Sequence, residues 1–525
     1  MWRGVMRALL IGTADRALQG LFLVTTLVLA GCSDARIEPI ELRFEEFAAV
    51  GEVNPRFLGY NVEMVELTGG RFWAPYENGE AKPYDERFEY LPPIDLTNER
   101  ILKLAAALGP SYVRFSGTWA NATWFADTDS PNDQPPSGFD AVLTRQQWGR
   151  AVAFARDVDA DIVVSMATSA GARDANGVWE PTNAQRLIDY TTHLGAAIAA
   201  AEFANEPNMT GLIQPPEGYT AADYRRDYRI FSTWLRQASP GTRQLAPGVV
   251  EMGQPMRTLS AMFSGMLTIP PAELLTADLP TPDAISFHYY GASSQRCHVP
   301  LLGSQKSDAL DSDWLAGIDE GIARISKLRD QIDPALPLWN TESGETACGG
   351  NPWATTFLDS FRFVDQLARS AKQGVEVFIH NTLAASDYAL LDEHTFLPRP
   401  NYWAAWMWRS LMGSVVLDIG QMSGAENIYA HCHRRIPGMM TILAINLSDN
   451  LSRTLRLPVG GDIYTLTQGS AGWGSIALNG DDLALANNDQ FPELRGVPFS
   501  FGDIVLPPMS INFLVTPAPS ESFCQ

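Results

Sequence analysis

Between residues 56 and 412, short apolar runs and amphipathic helical patterns take turns, and this alternation constrains the fold more than any other feature. The runs are Phe57–Met64, Tyr112–Ser116, Ile162–Ala167, Ala200–Glu206, Gln244–Val249, Ala284–Tyr290, Leu336–Glu342 and Val375–Thr382. The run from Ala200 has no apolar–polar alternation, the pattern of a strand covered on both faces. Asn98–Leu108, Arg145–Val158, Gln185–Ala199 and Ala222–Gln237 read as helices, and Ile322, Ile325, Leu328 and Ile332 mark one face of another. Eight strands alternating with helices predict an α/β chain folded as a (β/α)8 TIM barrel over residues 56–412. Past Gly413 the helical period stops. Short alternating segments such as Thr441–Ile445, Arg453–Leu457 and Ile511–Val515 then follow, separated by turn residues, and predict a C-terminal β-sandwich over 413–525.

Two of the barrel strands end in a carboxylate. Ala204-Asn205-Glu206-Pro207 closes the fourth and Trp339-Asn340-Thr341-Glu342 the seventh. Pro207 has no N–H for a ladder, so the fourth strand is expected to stop at Glu206. Barrel enzymes carry their reacting groups at the carboxyl ends of strands. Glycosidic bond cleavage requires two such carboxyls, a proton donor and a nucleophile or base. Neighbouring carboxylates disfavour ionising together, so Glu206 is expected to hold the proton and Glu342 to attack. Asn205 is placed to bond the sugar 2-hydroxyl. Glu345 is the rival nucleophile but lies past the strand, and Glu202, inside strand four, reads as structural with a basic partner.

Asn205-Glu206-Pro207-Asn208, paired with Trp339-Asn340-Thr341-Glu342 and followed by Gly349-Gly350, resembles glycoside hydrolase family 79, the heparanases and β-glucuronidases. The resemblance extends over nearly the whole mature chain. It implies a retaining barrel with Glu206 as acid/base and Glu342 as nucleophile. Tyr112–Thr118 resembles the family's second strand and supplies Arg114 as a supporting cation. Glu63, at the end of the first strand, is implied to meet the sugar. His288-Tyr289-Tyr290 resembles the family's His-Tyr-Tyr, one tyrosine of which bonds the nucleophile. Ser386-Asp387-Tyr388 resembles the segment that holds the uronate carboxylate, with Ser386 standing where the family has glycine. No Lys or Arg lies between Gln373 and Pro398, so neutral donors are expected there: backbone N–H groups around Ser386-Asp387 and the Tyr388 hydroxyl. The implied partner is a uronic-acid-containing oligo- or polysaccharide. The alternatives are a retaining glycosidase for a neutral sugar and a glycan-binding lipoprotein without catalysis.

Charge excludes one class of partner. Asp and Glu outnumber Lys and Arg by 60 to 38, a net charge of −22, which repels nucleic acid. Arg3, Arg7 and Arg16 precede the apolar run Leu21–Leu29, and Leu29-Ala30-Gly31-Cys32 resembles a bacterial lipoprotein processing box. Residues 1–32 are therefore expected to be a signal peptide with lipidation at Cys32, which implies a lipid anchor as the sole membrane contact in the cell envelope. Residues 33–55 read as a linker with one outlying strand at Ile40–Phe44. The four remaining cysteines, Cys297, Cys348, Cys432 and Cys524, allow three pairings in an oxidising compartment. Cys297 and Cys348 fall in neighbouring loops after strands six and seven, and Cys432 with Cys524 matches the family's C-terminal bridge. His431-Cys432-His433 has no second ligand cluster at zinc-like spacing, so no metal or other cofactor is expected. Nothing in the sequence sets an oligomeric state.

Overall fold

The computed structural model describes residues 38–129, 134–209, 218–253, 268–298, 303–420, 424, 426–518 and 524. The expected signal peptide and Cys32 lie outside the described residues. Eight parallel strands close into a barrel. They are β1 (Leu58–Glu63), β2 (Ser111–Ser116), β3 (Ala160–Ser165), β4 (Ile198–Glu202), β5 (Arg243–Met252), β6 (Ala284–Tyr290), β7 (Leu338–Ser343) and β8 (Val375–His380). Closure is made where β8 pairs with β1, Phe378 opposite Leu58. Helices that follow these strands include α1 (Glu99–Ala107), α2 (Arg145–Asp157), α3 (Thr182–His193), α4 (Ala221–Ala238), α5 (Pro271–Leu274), α6 (Ser312–Ile332), α7 (Phe357–Lys372) and α8 (Pro400–Leu411).

Local sequence explains where these elements start. Thr144 and Gln147 form a reciprocal capping box at the start of α2, and Thr220 and Asp223 do so at α4, each satisfying two otherwise orphaned N–H groups. Apolar side chains of β1 to β8 are buried on both faces: Val113, Val163, Ala200, Leu245, Trp339 and Val377 are all inaccessible. That two-sided burial is why the strands lack alternation.

Strand β4 ends four residues earlier than expected, at Glu202. In the neighbouring β5 the pairing with β6 shifts register between Pro247 and Val249, and Pro247 has no N–H to offer. The chain leaves the ladder at Phe203, whose ring packs on Trp179, Tyr224 and Phe231. It returns when the Glu206 N–H donates to Gly248 O at 3.0 Å. Glu206 therefore sits on a tight post-strand turn with φ of 50°.

The C-terminal region is a β-sandwich. One sheet holds Met412–Asp418, Ile428–His433, Met439–Asn446, Ser510–Pro517 and Gly461–Gly469; the other holds Arg453–Leu457 and Gly502–Leu506. Met440, Ile442, Leu455, Leu457, Leu506 and Leu514 fill the space between them. The segment expected as a linker contributes to both sheets. Ile40–Glu41 pairs with Arg453–Leu457, and Ala48–Glu52 pairs with Met412–Asp418. Helix α7 is buried nearly all round because barrel and sandwich cover opposite sides of it. Its Asp365 accepts from Tyr429 Oη at 2.6 Å and from Asn427 Nδ2 at 3.0 Å, and pairs with Arg369, so the charge is satisfied at the seam.

Both expected disulfides form, Cys297–Cys348 and Cys432–Cys524. The second closes a 92-residue separation around the sandwich. No helix among the described residues is long and apolar enough to cross a membrane.

Candidate active site

The carboxyl ends of the barrel strands converge on Arg114, which is fully buried at the end of β2. Its Nε and Nη2 donate to Glu202 Oε2 at 3.0 and 2.8 Å. Its Nη1 donates to Glu342 Oε2 at 2.9 Å, and its Nη2 also reaches Asn205 Oδ1 at 2.8 Å. One guanidinium thus holds β4, the acid turn and β7 in a fixed relation, using the planar fork that a lysine lacks. Burial opposes ionisation of Glu202, yet Arg114 holds its carboxyl below the usual range. Glu202 is the structural carboxylate expected from the sequence, and Thr341 Oγ1 donates to its second oxygen at 2.8 Å.

Glu342 is held at both oxygens. Tyr290 Oη donates to Oε1 at 2.7 Å while Arg114 occupies Oε2. Burial and the neighbouring Glu342 push the Tyr290 hydroxyl well above its usual range, so it stays protonated and donates. His288 links the other carboxyl. Its Nε2 lies 3.2 Å from Arg114 Nη2, which can only donate, so Nε2 is the acceptor and Nδ1 carries the proton. Nδ1–H then donates to Glu206 Oε1 at 3.0 Å. One ligand atom each from Glu206, His288 and Glu342 falls within 4.8 Å of the others. These three atoms could cup a cation, but the permanent charge of Arg114 already stands at hydrogen-bond distance from Glu342 and His288.

Asn205 is oriented from behind. Its N–H donates to Asn121 Oδ1, and Asn121 Nδ2 donates to Asn205 O, both at 3.0 Å. With Oδ1 taken by Arg114, the Asn205 Nδ2 is buried without a partner among the described residues, a donor open to a sugar hydroxyl. Asn381, at the end of β8, is a second hub. Its Nδ2 lies 2.9 Å from Tyr290 Oη, 3.0 Å from Tyr388 Oη and 3.2 Å from Glu63 Oε1. Burial, reinforced by Glu342 and Glu66, holds the Glu63 carboxyl well above the usual range. Its Oε2 has no protein partner among the described residues.

Two expectations, Tyr289 and the backbone donors, need correction, and the rival carboxylate Glu345 is otherwise engaged. Tyr289 does not face the site. Strand alternation turns His288 and Tyr290 inward and Tyr289 outward, where its ring packs against Gly321 of α6. Glu345 is not poised as a nucleophile, because Asn351 N–H, Thr346 Oγ1 and Trp353 Nε1 donate to it at 2.8, 2.8 and 3.1 Å. The backbone donors expected around Ser386-Asp387 are engaged within the protein: Asp387 N–H donates to Gly349 O at 3.0 Å, and Ser386 N–H bonds Glu393. The Ser386 Oγ, without a protein partner, and the Tyr388 hydroxyl, which accepts from Asn381, are the groups left for an anion.

The chain also brings a cation that the interval 373–398 lacks. Arg296, buried below that segment, donates to Gly350 O at 2.8 Å and to Gly349 O at 3.0 Å and pairs with Asp387. All of its charge is spent inside the protein. Gly349 needs to be glycine: a Cβ there would lie 2.8 Å from Ser386 Oγ and 3.0 Å from Trp73. Ser386 itself sits at φ of 70°, which accounts for the glycine its relatives are implied to carry.

Asn121, Asn381 and Arg296 are site-shaping residues that the sequence reading left unassigned. Asn381 carried a signal, a polar residue at the end of the eighth run. Arg296 and Asn121 sit in loops whose packing no periodicity encodes.

An eight-stranded barrel with two opposed carboxyls at its mouth defines the class of barrel glycosidases. The family description "Glycosyl hydrolase family 79, N-terminal domain" matches residues 93–368. The chain belongs to that family. It is 27% identical to Heparanase-like protein 2 of Arabidopsis thaliana over 61% of its own length, and that match spans 57% of the plant protein. It is 25% identical to heparanase of Bos taurus, covering 90% of this chain and 91% of the relative. It is 24% identical to hyaluronoglucuronidase of Hirudo nipponia, covering 82% and 92%. The fold superposes on a 4-O-α-L-rhamnosyl-β-D-glucuronidase from Fusarium oxysporum with a TM-score of 0.60, at 13% identity over 91% of this chain and all of that one.

Proposed function

We propose that this protein is a retaining glycosidase that cleaves β-linked glucuronic acid in uronate-containing glycans. The observation that carries the reading is the pairing of Glu206 and Glu342, with carboxylate oxygens within 4.8 Å of each other. Retaining enzymes hold their carboxyls about 5–5.5 Å apart, whereas inverting ones leave room for water between them. In the first step Glu206 protonates the glycosidic oxygen while Glu342 attacks the anomeric carbon and becomes an ester. The negative charge beside Arg114 then falls on Glu206, which takes a proton from water as that water displaces the sugar from Glu342. Asn205 Nδ2 is positioned as a donor to a sugar hydroxyl, and Glu63 Oε2 as a further polar contact for the sugar.

Uronate selectivity rests on Tyr388 Oη and Ser386 Oγ, with the heparanase and hyaluronoglucuronidase relatives in support. Turnover of an aryl β-glucuronide against the matching β-glucoside and β-xyloside tests it. The expected result is a kcat/KM for the glucuronide at least about tenfold above either neutral sugar. Equal rates would give the protein to neutral glycans.

The processing box ending at Cys32 supports a second part of the proposal, that the mature chain is lipid-anchored in a bacterial envelope. Metabolic labelling with a fatty-acid analogue should mark the wild type and not Cys32→Ser.

A further inference from the structure

The segment that carries Ser386 and Tyr388 follows β8 and holds a carboxylate of its own, Asp387, between them. Unpaired, that carboxylate would repel the anion its two neighbours are placed to receive. Arg296 neutralises it, pairing through Nη2. The Arg296 side chain is 2% exposed and Asp387 is 18% exposed, so water screens this charge little. The other nitrogens of Arg296 are committed as well. Nε donates to Ala74 O at 2.7 Å, Nη1 donates to Gly350 O and Gly349 O, and the guanidinium stands 4.0 Å from the Tyr76 ring. One side chain thus ties the stretch around Ala74, the loop after β7 and the loop after β8.

The 386–388 segment is held from both sides. Arg399, just before α8, donates from Nη1 to Ser386 O at 2.6 Å and to Asp387 O at 3.0 Å. Arg399 therefore fixes the backbone of the segment while Arg296 fixes its side chain, which suits a stretch whose Ser386 sits at φ of 70°. The field of Arg296 also reaches Tyr388, where it opposes the neighbouring Glu63 and Glu342. At Gly349 the clamp and the site meet: a Cβ there would lie 2.8 Å from Ser386 Oγ and 3.0 Å from Arg296 Nη1.

Arg296 is itself tied down covalently. Cys297 follows it, Cys348 precedes its partner Gly349, and the two cysteines are bridged. Around the bridge the same two loops are zipped together. Ser294 Oγ donates to Cys348 O at 2.8 Å, Ser294 N–H to Ala347 O at 2.9 Å and Gln295 N–H to Asn351 Oδ1 at 3.1 Å.

We infer that Arg296 is the positioning residue that sets the sugar specificity of this site. It neutralises Asp387 and holds the 386–388 segment so that Ser386 Oγ and Tyr388 Oη receive a sugar carboxylate, and the Cys297–Cys348 bridge keeps it in place. This inference rests on the uronate reading above and deepens it. Arg296 acts through Asp387 and the Gly349–Gly350 backbone, with its own donors spent inside the protein.

The test takes the ratio of kcat/KM for an aryl β-glucuronide to that for the matching β-glucoside. Arg296→Gln leaves Asp387 charged and unpaired beside the incoming carboxylate. The ratio should fall about 10- to 100-fold, chiefly through a higher KM for the glucuronide. Arg296→Gln/Asp387→Asn removes the repelling charge too and should win back at least about threefold of that loss. A merely structural arginine predicts no recovery, because the second change takes away a further polar group. Cys297→Ser/Cys348→Ser keeps the Cys432–Cys524 bridge and should lower the ratio about three- to tenfold. Melting temperatures identify the variants that fold, and if Arg296→Gln does not, the charge-balanced variant and the bridge variant decide. A ratio within about twofold of wild type in the folded variants, or a fall that Asp387→Asn does not relieve, overturns the inference. A wild type with no preference for the glucuronide overturns the proposed function itself; a wild-type preference that survives these changes overturns the role of Arg296 alone.

Discussion

Tyr290 donates its hydroxyl to Glu342 Oε1 at 2.7 Å. The bond fixes the carboxylate plane while Arg114 holds the other oxygen, so the attacking group is oriented before substrate arrives. Tyr290→Phe leaves Oε1 with only Asn381 Nδ2, at 3.5 Å. The expected outcome is a kcat on an aryl β-glucuronide reduced about 10- to 100-fold, the equivalent of one hydrogen bond to a charged group. A change confined to KM would assign the tyrosine to substrate binding.

In the proposed mechanism Glu206 carries the proton for the leaving oxygen. Glu206→Ala should lose about 100- to 10,000-fold on substrates with poor leaving groups, the usual worth of general acid catalysis. Activated aryl glycosides need little protonation and should retain glycosyl-enzyme formation. Added azide can then attack the glycosyl-enzyme without a general base. Steady-state assays with and without azide check this, and a variant that azide cannot rescue would place the base elsewhere.

Tyr388 sits with its ring buried and its hydroxyl accepting from Asn381, which leaves its proton for the substrate. Tyr388→Phe should cost roughly 1–3 kcal/mol of transition-state binding for a glucuronide. That is a drop of about 10- to 100-fold in kcat/KM. The matching glucoside has no carboxylate to lose and should be barely affected. Equal drops for both would make Tyr388 a support of the rim.

Stability should depend on pH through a residue that touches the same loop. His380 is fully buried with Nε2 donating to Tyr388 O at 2.8 Å, and burial, aided by Arg362, lowers its pKa to about 3 from 6.5. The unfolded chain binds more protons than the native one between those values, so stability rises with pH across that window. The slope is about 1.4 kcal/mol per pH unit. His431, lowered by burial to about 4, adds a second contribution of the same sign. Denaturant melts from pH 4 to 7 should show the slope, and His380→Gln should remove its share.

The barrel was legible because its strands are covered on both faces, and eight such runs admit few topologies. The candidate pair Glu206 and Glu342 stood out because each glutamate closes such a run. What the sequence hid lies off the periodic elements. Strand β4 ends early, and the chain returns through the bond from Glu206 N–H to Gly248 O, a partner in a different strand. The engagement of the Ser386 and Asp387 N–H groups depends on Glu393 and on the Gly349 loop. Tyr289 was misassigned because the resemblance named a tripeptide, whereas strand alternation lets only its first and third residues face the site.

In the proposed mechanism Glu342 forms the covalent bond to the sugar. A mechanism-based inhibitor built on a 2-deoxy-2-fluoro β-glucuronide slows release of the glycosyl-enzyme enough for peptide mapping by mass spectrometry. The predicted result is one glycosyl group per chain, carried on Glu342 within the stretch Leu338–Ser343. A label on Glu345 or Glu63, or release of an inverted sugar with no covalent adduct, would contradict it.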